Sequence, residues 1–392
     1  MPSRRLVLTQ SPSLALLAWV FSAGPLAAAA VAAAPAEIAR GKAPQHPQQP
    51  QLAVDAKGAI HVVYGTGDTV YYTRSDDSDK SFAPAVDLPP VAHMSLGMRR
   101  GPRLAVTGAA ICVTAIGGKQ GKGRDGDVLA MRSTDGGATW SDAVRVNDVA
   151  DSAREGLHAM AAGPKGEMCC VWLDLRNRKS EVMASVSTDG GETWGKNVLV
   201  YRSPSGSVCE CCHPSVAIGE DGKVHVLFRN SLDGKRDMYV ATSSDGGKTF
   251  AAATKLGPGS WTLEACPMDG GAIAVDRSGQ LITAWRRDKT VFVSADASTE
   301  QKLGGGEQPW IAAAGGGSYT VWLAKRGEAL LLQRPASDAP GGNSPEKLAP
   351  HAKDPVIAAA PGGRGPVVAA WESRDGDEYT IAVQVVAPQA TQ

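Results

Sequence analysis

The stretch "STDGGATW" at residues 133–140 recurs as "STDGGETW" at 187–194 and as "SSDGGKTF" at 243–250. Its acidic residues Asp135, Asp189 and Asp245 lie 54 and 56 residues apart. A period of that length points to a repeat array. Each copy follows a strand-like run, "DVLAMR", "EVMASV" and "DMYVAT" in turn. The residue types then describe a tight turn. The Asp side chain can accept hydrogen bonds from turn N–H groups, glycine supplies positive φ, and the closing Trp or Phe can tuck between strands. Asp135, Asp189 and Asp245 are therefore expected to be structural. Weaker copies stand at 75–82 ("SDDSDKSF") and 291–298 ("VFVSADAS").

A second signal lies about 30 residues upstream of each turn: an apolar strand, a Gly-containing turn, then another apolar strand, as in "HPSVAIGEDGKVHVLFRN". Seven such units begin near residues 50, 101, 155, 213, 268, 308 and 354. Four antiparallel strands per unit, repeated radially, predict an all-β propeller. Seven blades is the first choice and six the alternative. The 45 glycines and 25 prolines suit turns, and no long 3.6-residue period is visible. The propeller is expected over 50–388, with 35–49 a linker whose segment around Glu37–Lys42 can close the ring.

Arg4 and Arg5 precede an apolar run from Leu14 into "AAAAVAAAPA", which reads as an export signal over 1–34. The mature chain is expected to be periplasmic or secreted and free of the membrane. Lys+Arg and Asp+Glu are both 40, which argues against a nucleic-acid partner.

S-x-D-x-G-x-T-W after a strand is the Asp box, or BNR repeat. The chain thus resembles the sialidase-like (neuraminidase) superfamily over most of residues 50–386. The resemblance implies a glycoside hydrolase of the exo-sialidase type, without a cofactor, acting on a carbohydrate or another acidic small ligand. "RGP" at Arg100–Pro102 resembles the family's arginine motif, although Gly101 replaces its Ile or Leu. By that resemblance Arg100 binds a substrate carboxylate. "GRDGDVLAMRSTDGG" resembles the acidic loop that follows, and implies Asp125 or Asp127 as acid/base. The family's Tyr–Glu nucleophile pair has no clear counterpart, since Tyr379 in "DEYTIAVQV" reads as the start of a strand.

Strand alternation sorts the loops. The 1–2 turns and Asp-box 3–4 turns share one face, and the longer 2–3 loops and 4–1 connections share the other. The second face collects Arg99, Arg100, Arg124, Arg154, Arg176, Arg178, Arg229, Arg236, Arg286 and Arg287. Guanidinium groups suit carboxylates. Topology places Arg229 and Arg286 near the axis, to bind an acidic ligand with Arg100. "CECCHP" and "EACPMD" lie in successive 4–1 connections and bring Cys209, Cys211, Cys212, His213, Cys266 and Met268 toward one mouth. In an exported chain the default for the cysteines is disulfide pairing. The same donors suit Cu(I) or zinc. Cys112, Cys169, Cys170 and His225 read as core residues of second strands. Besides glycoside hydrolysis, the sequence leaves open a non-catalytic binding propeller and a metal or redox protein.

Overall fold

The computed structural model describes Met1 and residues 34–77, 81–338, 344–363 and 365–387. The expected export signal falls almost wholly outside the described residues. Among these residues the strands form seven four-stranded antiparallel sheets. The seven-bladed reading holds over the six-bladed alternative. No described helix is long and apolar enough to cross a membrane.

The third blade shows the plan. Strands His158–Ala162, Met168–Asp174, Glu181–Ser187 and Val198–Tyr201 pair in chain order. The second strand is buried along its whole length because neighbouring blades cover both of its faces. Outer strands are short and more exposed, such as Val144–Arg145 in the second blade. Hydrophobic clusters form between blades. One joins Leu157, Val171 and Leu173 of the third-blade region to Val224, Val226 and Phe228 of the fourth. Cys112, Cys169 and Cys170 are buried in these seams, and burial pushes the Cys112 and Cys169 thiols up to about 12. His225 pairs its Nδ1 with Thr242 Oγ1 at 2.9 Å.

The seventh blade comes from both ends of the described chain. Ala36–Lys42 pairs antiparallel with Glu378–Ala387 as its outermost strand. That pairing covers an edge that would otherwise expose unpaired backbone.

Each Asp box folds through its own side chains. In the second blade Ser133 Oγ donates to Asp135 Oδ1 at 2.8 Å, Thr139 N–H donates to the same oxygen at 2.9 Å, and Gly137 N–H donates to Ser133 Oγ at 2.8 Å. The fourth blade repeats this at Ser243, Asp245, Gly247 and Thr249. Both weak copies also close: Ser81 N–H reaches Asp77 Oδ1 at 3.0 Å, and Thr299 N–H reaches Asp296 Oδ1 at 2.7 Å. The boxes also join blades. Arg74 Nη1 donates to Gly136 O at 3.3 Å and Arg132 Nε to Gly190 O at 3.1 Å, each from the preceding blade. The second glycine explains itself here. Gly137 has φ +92°, and a Cβ there would meet Tyr72 Cε1 at 2.0 Å.

Candidate functional site on the loop face

At the start of each blade's inner strand, or up to three residues before it, a buried polar residue stands on the loop face: Gln49, Arg103, His158, His213, Asp269, Gln308 and Asp354. Gln49, His213, Gln308 and Asp354 are each followed by proline. Proline cannot donate to a ladder. Strand pairing shifts register at three of these points, Gln48/Gln51, Glu307/Trp310 and Lys353/Val356. The freed side chains bond across blades. Gln308 N–H donates to Asp269 Oδ2 at 2.8 Å and Gln308 Nε2 to Asp354 Oδ1 at 3.1 Å. The sequence reading missed this ring. Its signal was the proline repeated before several inner strands.

Of the three expected arginines, Arg229 and Arg286 meet at Trp261, and all three have partners within the protein. Arg229 is buried, and its guanidinium donates to the carbonyls of Asp269 (3.0 Å), Arg236 (2.6 Å) and Arg286 (2.9 Å). Arg286 lies 3.0 Å from Glu307 and 3.8 Å from Asp269. Both guanidiniums lie over Trp261, at 5.2 and 5.4 Å from the ring centroid. Arg100 Nε donates to Glu155 O at 2.7 Å. Arg99 closes the axis by donating to Pro355 O and Gln308 O. Other face arginines are also paired, Arg176 with Asp174 and Asp148, and Arg287 with Glu300. The fold uses much of this cluster to tie loops together.

Asp125 and Asp127 hold backbone as well. Asp125 accepts the N–H groups of Lys119, Gln120 and Gly121 at 2.7–2.9 Å, the geometry of a loop anchor. Asp127 Oδ1 accepts Asn147 Nδ2 at 2.6 Å and Asp151 N–H at 2.8 Å. Tyr379 sits in the strand that the sequence predicts, stacked on His46 at 3.8 Å.

The cysteine loops do meet. The sulfurs of Cys209, Cys211 and Cys212 all lie within 4.8 Å of one another. Cys209 is 3.1 Å from Cys212 and 3.7 Å from Cys211. Cys266, exposed on the next connection, interacts with Cys211. Hydrogen bonds from Cys211 and Cys212 hold the Cys209 thiol well below its ordinary range, while burial pushes Cys212 up. All seven cysteines are free thiols, so the pairing expected by default is not formed. His213 stands apart from the sulfurs, its ring stacked on Trp310 at 5.7 Å. Met268 is half-buried with φ +54°.

One cavity is ringed by the inner strands of all seven blades, and another lies at the sixth and seventh blades. The larger, about 740 Å³, is walled by inner strands rich in Ala, Val and Ile and by the 1–2 turns of the Asp-box face. The smaller, about 390 Å³, opens on the loop face at the seventh blade, between His351, Lys353, Glu372 and Arg374. Here titratable groups converge. Glu372 is buried and accepts Gln49 N–H at 2.8 Å. Burial, with Asp354 beside it, pushes its carboxyl up to about 7. Asp354 is held by Arg326 through contacts of 2.8 and 2.6 Å. Lys353 and Arg374 lie over the Tyr379 ring at 5.7 and 5.1 Å.

Residues 105–303, about half of the chain, match the family described as BNR repeat-like domain. The chain belongs to that family. No curated protein matches it. Solved structures share the propeller at low identity. The α-L-arabinanase of Penicillium chrysogenum, complexed with arabinobiose, superposes with a TM-score of 0.55 and 13% identity, covering 91% of this chain and 98% of that one. The leech intramolecular trans-sialidase, complexed with 2,7-anhydro-Neu5Ac, gives 0.51 and 11%, covering 91% and 70%. A protein of unknown function from Dyadobacter fermentans gives 0.52 and 14%, covering 91% and 99%. At such identities the likeness shows the fold, a sialidase-like BNR propeller.

Proposed function

We propose that this BNR propeller is an exported glycan-directed protein, a glycoside hydrolase acting on an acidic sugar in the loop-face cleft of the seventh blade. One observation carries the reading: a buried Glu372 whose carboxyl is pushed up to about 7 lines a cavity of about 390 Å³ beside Lys353 and Arg374. A glycosidic oxygen needs a carboxylic acid that still holds its proton near neutrality. The buried Asp354, paired with Arg326, is the second carboxylate. The ammonium of Lys353 and the guanidinium of Arg374 supply attraction for an acidic sugar. We place the acid here because the oxygens of Asp125 and Asp127 are occupied by loop donors. The carbohydrate-bound structures of the arabinanase and the trans-sialidase support a sugar as the ligand class.

The second reading is a propeller that binds glycans without turnover. It is favoured by the arginines, whose donors go to backbone carbonyls rather than into an open pocket. A screen of fluorogenic glycosides, sialosides included, separates the two. The expected result is turnover that Glu372→Gln lowers by about 100-fold or more, the scale of lost general-acid catalysis. Glycan binding by both proteins with no turnover by either would establish the second reading.

A further inference from the structure

The sulfur group lies outside the Glu372 cleft and takes no part in the glycan reading. Its geometry is local and specific. Cys209 N–H donates to Arg229 O at 3.0 Å, and Cys212 N–H turns back to Cys209 O at 3.4 Å. That turn folds Cys209, Cys211 and Cys212 around one point. On the connection into the fifth blade Cys266 interacts with Cys211 but lies outside the three-sulfur group, so it has to move inward to become a fourth ligand. Arg229 fixes both loops: its carbonyl holds Cys209, and its Nε donates to Asp269 O at 3.0 Å, three residues beyond Cys266.

Metal–sulfur bonds of about 2.3 Å place sulfurs ~3.8 Å apart in a tetrahedral site and ~4.0 Å apart in a trigonal one. The 3.7 Å between Cys209 and Cys211 matches the tetrahedral spacing. The 3.1 Å between Cys209 and Cys212 needs to open by less than ~1 Å. Cys112, Cys169 and Cys170 offer no comparable site, since they are sealed in the seams between blades.

We propose that Cys209, Cys211, Cys212 and Cys266 form a thiolate site for one soft d10 cation, Zn(II) through four sulfurs or Cu(I) through the three of the Cys209–Cys212 turn. Soft thiolates select these ions over harder ones, and binding releases the thiol protons to solvent.

The test uses the full chain, reduced and purified without oxygen, titrated separately with Zn(II) and Cu(I) against colorimetric chelators. One equivalent of metal per chain is expected. Cys209→Ser/Cys212→Ser should abolish binding of both ions. Cys266→Ser should weaken zinc by at least about 100-fold while Cu(I) stays bound. Iodoacetamide labelling gives a readout on the unaltered chain: zinc should block Cys211 and Cys266, whereas Cu(I) should leave Cys266 reactive. The proposal is overturned if the folded, reduced chain retains neither ion at stoichiometry with no change in labelling. It is equally overturned if the double variant binds as well as the parent.

Discussion

The two faces of the propeller satisfy their charges in opposite ways. On the Asp-box face the Asp of each box is bonded within its own turn, as Asp245 is by Ser243, Lys248 and Thr249. On the loop face some pairs are local, as Asp174 with Arg176, but the buried ones near the inner strands join residues far apart in sequence. Arg99 donates to Pro355 and Gln308, and Glu372 accepts from Gln49. Local satisfaction repeats, stays near solvent and can be lost one turn at a time. Distant satisfaction is buried, different in every blade, and breaks several connections at once. The turn face therefore builds the fold, and the loop face is free to differ from blade to blade.

The sharpest way to break this contrast is Arg229→Ala. The guanidinium is buried and its three carbonyl acceptors belong to loops of two blades. Each buried carbonyl left unpaired costs about 1–3 kcal/mol. A fall of several kcal/mol in unfolding free energy, read from a denaturant midpoint, is expected. Unchanged stability with weakened binding of an acidic glycan would return Arg229 to the role of a ligand contact.

Next comes pH, where the faces should pull in opposite directions. The folded state holds the Glu372 carboxyl up at about 7, against an ordinary value of 4.5. The folded chain thus keeps a proton that the unfolded chain releases, so this residue's stabilisation is lost as pH rises from about 4.5 through about 7. Thr193 and Ser187 hydrogen bonds hold Asp189 down at about 2, against 3.8, so its contribution is present above 3.8 and lost as pH falls through about 2. Melting temperature followed from pH 4 to 8 should show a falling limb that Glu372→Gln flattens. A limb that persists in the variant would remove Glu372 as its source.

The same contrast explains what the sequence revealed. Asp135, Asp189 and Asp245 were legible because every partner lies within five residues, so the motif contains its own geometry. Blade number followed from the strand pairs upstream, which are also local. The loop face was legible only by topology: alternation placed Arg229, Arg286 and the cysteine loops there but did not show what they bond. Arg229 and Asp125 carry the residue types of a ligand site, and backbone groups take their donors and acceptors. Glu372 was overlooked because it sits within a strand-2 run, "VVAAWESRD", with nothing local to mark it. Its raised proton affinity comes from burial and then from Asp354 on the neighbouring strand, which no single segment contains.

The smallest effect sharpens the comparison from the turn side. Asp189→Ala removes the acceptor for Thr193 N–H at 2.9 Å and for Ser187 Oγ at 2.7 Å. Ser187 Oγ still accepts Gly191 N–H at 2.8 Å, so the turn keeps one internal tie. Asp189 is exposed, and water can reach the donors it abandons. The loss should therefore resemble that of a helix cap, about 1 kcal/mol, rather than that of a buried polar pair. Glycan binding and thiol labelling should not change, since the turn lies on the face opposite both the Glu372 cleft and the cysteines. Thermal melting beside a binding isotherm checks both statements. A full melting temperature with lost ligand binding would place function on the Asp-box face and reverse the assignment of the two faces.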